Sequence, residues 1–155
     1  MLAMTQVLRG TLFLSAWLLQ PAAPLPNTGT VERVVDGDTV VLARIGAVRL
    51  IGVDTPESKH PLKPVERFSK EASAFLRELA QGQVVRIEYD QTTRDRYGRL
   101  LAYLHLEDGR CLNAEIIRHG YGFAYVKYPF KYMDEYRALE REARDAGRGL
   151  WAAAP

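Results

Sequence analysis

From residue 30 onward, apolar and polar positions alternate in short runs, and the runs are separated by turn residues. Residues 30–35 and 39–43 are rich in β-branched side chains and flank Asp36-Gly37, a pattern that predicts two strands joined by a tight turn. Ile45-Gly46 predicts another turn, and residues 47–53 a third strand with Arg49 among apolar neighbours. Alternation puts Arg49, Ile51 and Val53 on one face, expected to look inward. Residues 57–64 are polar and broken by Pro61 and Pro64, so they predict a loop. Ala72, Phe75, Leu76 and Leu79 recur at helical spacing, between a cap at Ser69 and a stop at Gly82. Residues 84–89 and 100–106 alternate as two further strands, on either side of a charged loop at 91–96. A short helix is expected at 112–118, before Gly120. A last helix is expected at 134–146, with Tyr136, Leu139 and Ala143 inward and Gly147 as its stop. Five strands with a helix between the third and fourth suit an α+β fold: a five-stranded oligonucleotide-binding (OB) barrel with three helices.

Residues 1–22 follow a different pattern. Arg9 precedes the apolar run Leu12-Phe13-Leu14-Ser15-Ala16-Trp17-Leu18-Leu19, and the small residues Ala22 and Ala23 come after it. That is the layout of a secretory signal peptide, too short for a transmembrane helix of about 20 residues. The expected organisation is a signal peptide at 1–22, a Pro-rich linker at 23–29 and one domain at 30–152. It implies a secreted or periplasmic monomer with no stable membrane span; anchoring by an uncleaved N-terminus is the alternative. The 155 residues carry 21 basic and 19 acidic side chains, so bulk charge alone does not drive nucleic-acid binding. A single cysteine, Cys111, excludes an internal disulfide and reads as a small buried hydrophobe.

Several charged residues sit where barrel strands meet their turns. Asp36-Gly37-Asp38-Thr39 taken alone is a hairpin turn, and Asp54-Thr55-Pro56-Glu57 taken alone ends a strand. Together they allow Asp38 and Asp54 to close on one cation from neighbouring strands, with Pro56 restraining Thr55 so that its carbonyl faces outward. Oxygen-only donors favour Ca²⁺ or Mg²⁺ over zinc. The first loop is not an EF-hand, because Ala47 stands where the bidentate Glu belongs. His60, His105 and His119 show no ligand spacing. An inward Arg49 demands an anion, and Arg99, opening a strand after the charged loop, offers a second guanidinium. Two such forks suit a phosphate whose charge grows in the transition state.

These motifs resemble the staphylococcal nuclease (thermonuclease) family from Val31 to Trp151. The likeness is carried by Asp36-Gly37-Asp38-Thr39-Val40, Arg49-Leu50, the run from Val53 to Pro61, Glu71-Ala72-Ser73-Ala74-Phe75, Asp95-Arg96-Tyr97-Gly98-Arg99, Leu101-Ala102-Tyr103 and Ala124-Tyr125-Val126. The resemblance implies a Ca²⁺-dependent phosphodiesterase that hydrolyses DNA or RNA, preferably single-stranded, to 3′-phosphomononucleotides and oligonucleotides. It implies Ca²⁺ held by Asp38, Asp54 and the Thr55 carbonyl, with Glu57 handling the attacking water. Arg49 and Arg99 then bind the phosphate, and Tyr97, Tyr125 and Lys63 the nucleic acid. The chain departs from the family pattern in a shorter turn between Asp38 and Arg49, in Leu62 where a lysine is usual, and in the order Lys127-Tyr128. The competing reading is a non-catalytic single-stranded nucleic-acid-binding OB module.

Overall fold

The computed structural model describes residues 23–56 and 68–152. The signal peptide expected at 1–22, Glu57 and Lys63 lie outside the described residues. Five strands close into a barrel: β1 (Thr28–Asp36), β2 (Thr39–Leu42), β3 (Gly46–Leu50), β5 (Val84–Glu88) and β6 (Leu100–Leu106). Their order around it is β1-β2-β3-β6-β5, with β5 returning to β1 through Thr28–Arg86, Gly29–Val85 and Thr30–Val84. All neighbours are antiparallel except β3 and β6, which run parallel because the helix α1 (Ser69–Ala80) and β5 intervene between them. The helices α2 (Leu112–Arg118) and α3 (Met133–Asp145) and a 3₁₀ turn at Gly149–Trp151 complete the chain.

The alternating strands send Val31, Val40, Leu42, Val48, Leu50, Val85 and Leu104 into one core, each almost fully buried. Each such side chain stabilises the fold by about 1.5–3 kcal/mol relative to exposure. From α3, Tyr136, Leu139 and Ala143 are buried as the spacing predicts. Cys111 is half-buried, and burial raises its thiol pKa.

Three local expectations are corrected. The third strand ends at Leu50, because Ile51 and Gly52 form a turn in which Gly52 has φ 73°. Val48 and Leu50 therefore hold the core face and Arg49 the opposite one; Val53 restarts in a separate two-residue strand, β4 (Val53–Asp54), paired with β7 (Phe123–Ala124). Arg49, Ile51 and Val53 do not share a face. Ser69 is not the cap of α1 but its first residue; Phe68 takes the cap position with φ 68° and makes no side-chain cap bond. Finally, β1 begins at Thr28, inside the segment read as a linker, and Asn27 and Pro26 already bond to Ile87 and Tyr89.

The β1–β2 turn is pinned from outside the barrel. A Cβ on Gly37 would lie 2.8 Å from the Ala72 Cβ of α1 and 2.8 Å from the Thr55 hydroxyl, so only glycine lets helix, turn and Thr55 approach this closely. Gly37→Ala is expected to cost about 1–3 kcal/mol by overpacking, read as a lower midpoint of thermal unfolding. An unchanged midpoint would contradict this packing.

Candidate active site

Asp38 lies at the end of the β1–β2 turn, and its carboxylate gathers its neighbours. Its Oδ1 accepts the Thr39 hydroxyl at 2.9 Å, and its Oδ2 accepts the Thr55 backbone N–H at 3.3 Å. The same Oδ2 forms an ion pair with Arg49, which also reaches Asp54 Oδ1 at 3.5 Å. The strand register explains the meeting, since Thr39 pairs directly with Arg49 across β2 and β3. Asp38, Thr39 and Thr55 are buried, whereas the Asp54 side chain is half exposed. One Arg49 guanidinium nitrogen is buried without an aligned hydrogen-bond acceptor among the described residues, although it pairs by charge with Asp38.

Arg99 arrives from the start of β6. Its Nη1 lies 3.5 Å from the Thr39 hydroxyl, so both arginines converge on the Asp38–Thr39 corner. Asp95 holds Arg99 there. Its Oδ2 accepts the Arg99 Nε–H at 2.7 Å, while its Oδ1 accepts the backbone N–H groups of Tyr97 and Arg99. Burial opposes ionisation of Asp95, but the bonds from Arg99 and Tyr97 outweigh it and lower its pKa. Sequence reasoning gave Asp95 no role of its own; its spacing of four residues from Arg99 was the available signal. A second unassigned acid is Asp36, whose Oδ1 accepts the Asp38 N–H at 3.2 Å. Burial and the neighbouring Asp38 charge push its pKa up to about 6.

Arg49, Asp54 and Arg99 stand on a groove of about 940 Å³ that also exposes Tyr97, Tyr125 and Tyr128. The Arg99 guanidinium lies 5.6 Å from the Tyr97 ring centre, and Tyr125 and Tyr128 lie 6.3 Å apart. The structure thus brings together Asp38, Asp54, Thr55, Arg49 and Arg99, with Tyr97 and Tyr125 along the groove. His105 and His119 instead pair with Glu88 and Glu115.

The donor set fits a hard divalent cation. The Arg49 guanidinium lies between the Asp38 and Asp54 carboxylates and meets each through a different nitrogen. Among the described residues, no group of three or more His, Cys, Asp or Glu side chains gathers to hold an ion. The described residues bring two carboxylates, Asp38 and Asp54, to this corner, where the Thr55 N–H also faces Asp38. Hard divalent cations take six or more oxygens, so water and substrate would have to complete such a site.

The chain matches the family model of staphylococcal nuclease homologues over residues 47–153. It is 37% identical over 130 residues to a thermonuclease of Staphylococcus hyicus, spanning 81% of this chain and 76% of that protein. It is 40% identical over 128 residues to a thermonuclease of Staphylococcus intermedius, spanning 78% of this chain and 74% of that one. To the endonuclease YncB of Bacillus subtilis it is 36% identical over 129 residues, spanning 79% of this chain and 61% of that protein. With the closed five-stranded barrel and its three helices, these matches place the chain in the staphylococcal nuclease family.

Proposed function

We propose that the protein is a calcium-dependent nuclease that hydrolyses phosphodiesters of DNA or RNA to 3′-phosphomononucleotides and oligonucleotides. The observation that carries this reading is the convergence of Arg49 and Arg99 on the Asp38–Thr39 corner, beside a tyrosine-lined groove. The thermonuclease relatives support the same class of reaction.

In this mechanism the scissile phosphate lies against the two guanidiniums. The water oxygen bonds to phosphorus as the bond to the 5′-oxygen breaks, and the leaving oxygen takes a proton from solvent. Glu57 accepts the proton of the attacking water, a role that typically contributes about 10² to 10⁴ in rate. Arg49 and Arg99 meet the charge that grows on the phosphoryl oxygens. Asp38, Asp54 and the Thr55 carbonyl would hold Ca²⁺, which supplies Lewis-acid polarisation of the phosphate when bound. Tyr97 and Tyr125 offer stacking faces to the bases, and Lys63 a charge for the backbone.

Residues 1–22 act as an export signal in this reading, so the enzyme works outside the cytoplasm as a monomer. No helix among the described residues is long and apolar enough to cross a membrane.

The test is incubation of the purified protein with single-stranded DNA and with RNA, in Ca²⁺, in Mg²⁺ and in chelator, followed by analysis of product ends. Cleavage in Ca²⁺ that leaves 3′-phosphates and stops on chelation is the expected result. Binding without cleavage would favour the non-catalytic module, and undiminished cleavage in chelator would remove the metal from the account.

A further inference from the structure

The two walls of the groove come from distant parts of the chain, and two acids at the end of β5 join them: Glu88 Oε1 accepts the Lys131 ammonium at 2.7 Å and the Tyr132 hydroxyl at 2.8 Å, and Asp90 accepts the Lys131 backbone N–H. One wall follows β5 and carries Arg94, Tyr97 and Arg99; the other carries Tyr125, Tyr128 and Phe130. Asp90 stands at the root of the first. Its Oδ2 accepts the Tyr103 hydroxyl at 2.6 Å and the Lys131 backbone N–H at 2.8 Å, and its Oδ1 accepts the Gln91 N–H at 2.8 Å. Tyr103 belongs to β6 and is fully buried, so its ring cannot shift without disturbing the barrel. Burial opposes ionisation of Asp90, yet the bonds from Tyr103, Lys131 and Gln91 lower its pKa, and a charged acceptor makes each bond stronger.

The second wall is pinned at its two ends. At its start the Tyr125 N–H bonds to the Gly52 carbonyl at 2.9 Å, and just past its end the Lys131 N–H bonds to Asp90. Between these points, residues 126–129 are exposed. Asp90 makes no hydrogen bond or ion pair with Asp38, Arg49 or Arg99 among the described residues.

We propose that Asp90, aimed by Tyr103, is a positioning residue that sets the spacing of the groove walls and so the placement of Tyr125 and Tyr128 against bound nucleic acid. The nucleic-acid ligand rests on the function proposed above; the tether itself does not. Because Asp90 is not part of the arginine–carboxylate cluster, its loss acts on binding of a long substrate rather than on turnover.

Asp90→Ala removes the bonds to Tyr103, Lys131 N–H and Gln91 while leaving those of Glu88 to Lys131 and Tyr132, and Tyr103→Phe removes one donor while keeping the ring that packs in the core. Amide hydrogen exchange is compared in wild type and both variants, with KM and kcat for single-stranded DNA and the rate on a small nitrophenyl phosphodiester that spans only the cluster. The expected result is faster exchange at residues 125–132 in both variants, joined in Asp90→Ala only by the Gln91 amide that Asp90 holds. KM for DNA rises about five-fold, the factor that one net hydrogen bond is worth, with kcat and the rate on the small ester retained. Unchanged exchange in 125–132, an unchanged KM, or equal loss of rate on both substrates overturns the proposal. Should Asp90→Ala fail to fold, Tyr103→Phe decides alone. A wild-type protein that cleaves no nucleic acid overturns the proposed function, and the exchange comparison then still decides the tether, with oligonucleotide affinity replacing KM.

Discussion

Arg49→Lys is expected to lower kcat for nucleic-acid cleavage by about 10² to 10³, the usual consequence of losing one preorganised donor to a developing oxyanion. The substitution keeps the positive charge, so the ion pairs with Asp38 and Asp54 retain a cationic partner. What it removes is the planar fork that meets two phosphoryl oxygens at once. Arg49 is placed for that task by β3: Val48 and Leu50 on either side are committed to the core, and the register with Thr39 fixes where the guanidinium emerges. The loss should therefore appear in kcat, with thermal unfolding near that of wild type. Arg99→Lys should behave in the same way, since Asp95 aims its Nε and Thr39 lies against its Nη1. Turnover close to wild type in both variants would exclude the arginine pair from the transition state.

Glu57→Gln should reduce kcat by about 10² to 10⁴ while leaving substrate affinity and the unfolding midpoint unchanged. The amide is nearly isosteric with the carboxylate but accepts no proton from water. Glu57 follows Pro56 and Thr55 directly in sequence; both of those are buried, and Thr55 lies against the Asp38 turn. The measurement is steady-state kinetics of the purified variant alongside its melting curve. Full activity would assign the proton transfer to another group.

The barrel was legible in the sequence because its strands alternate and are bounded by turn residues, and because α1 and α3 repeat apolar positions at helical spacing. The face of Arg49 was not legible. A single glycine with positive φ, Gly52, resets the alternation between Leu50 and Val53, and a period of two cannot be carried across such a turn. The pairing of β4 with β7 escaped for a related reason, since two residues are too few to show a period. The Phe68 cap is a backbone conformation with no side-chain signature of its own. At the candidate site, Asp38, Arg49, Asp54 and Arg99 stood out because charged residues at the ends of apolar strands require a reason. The acids that hold the site in shape did not stand out. Asp95 looked like one more charge in a polar loop, and the partner of Asp90 at Lys131 lies 41 residues away in the chain.

Calcium titration by calorimetry, on wild type and on Asp38→Asn and Asp54→Asn, puts the central claim to its most direct test. Wild type should bind one calcium ion at the strand ends, and each amide substitution, which removes a charge while keeping the shape, should weaken that binding strongly and abolish cleavage with it. Calcium affinity and cleavage that both survive in the two variants would contradict the assignment of these carboxylates to the metal.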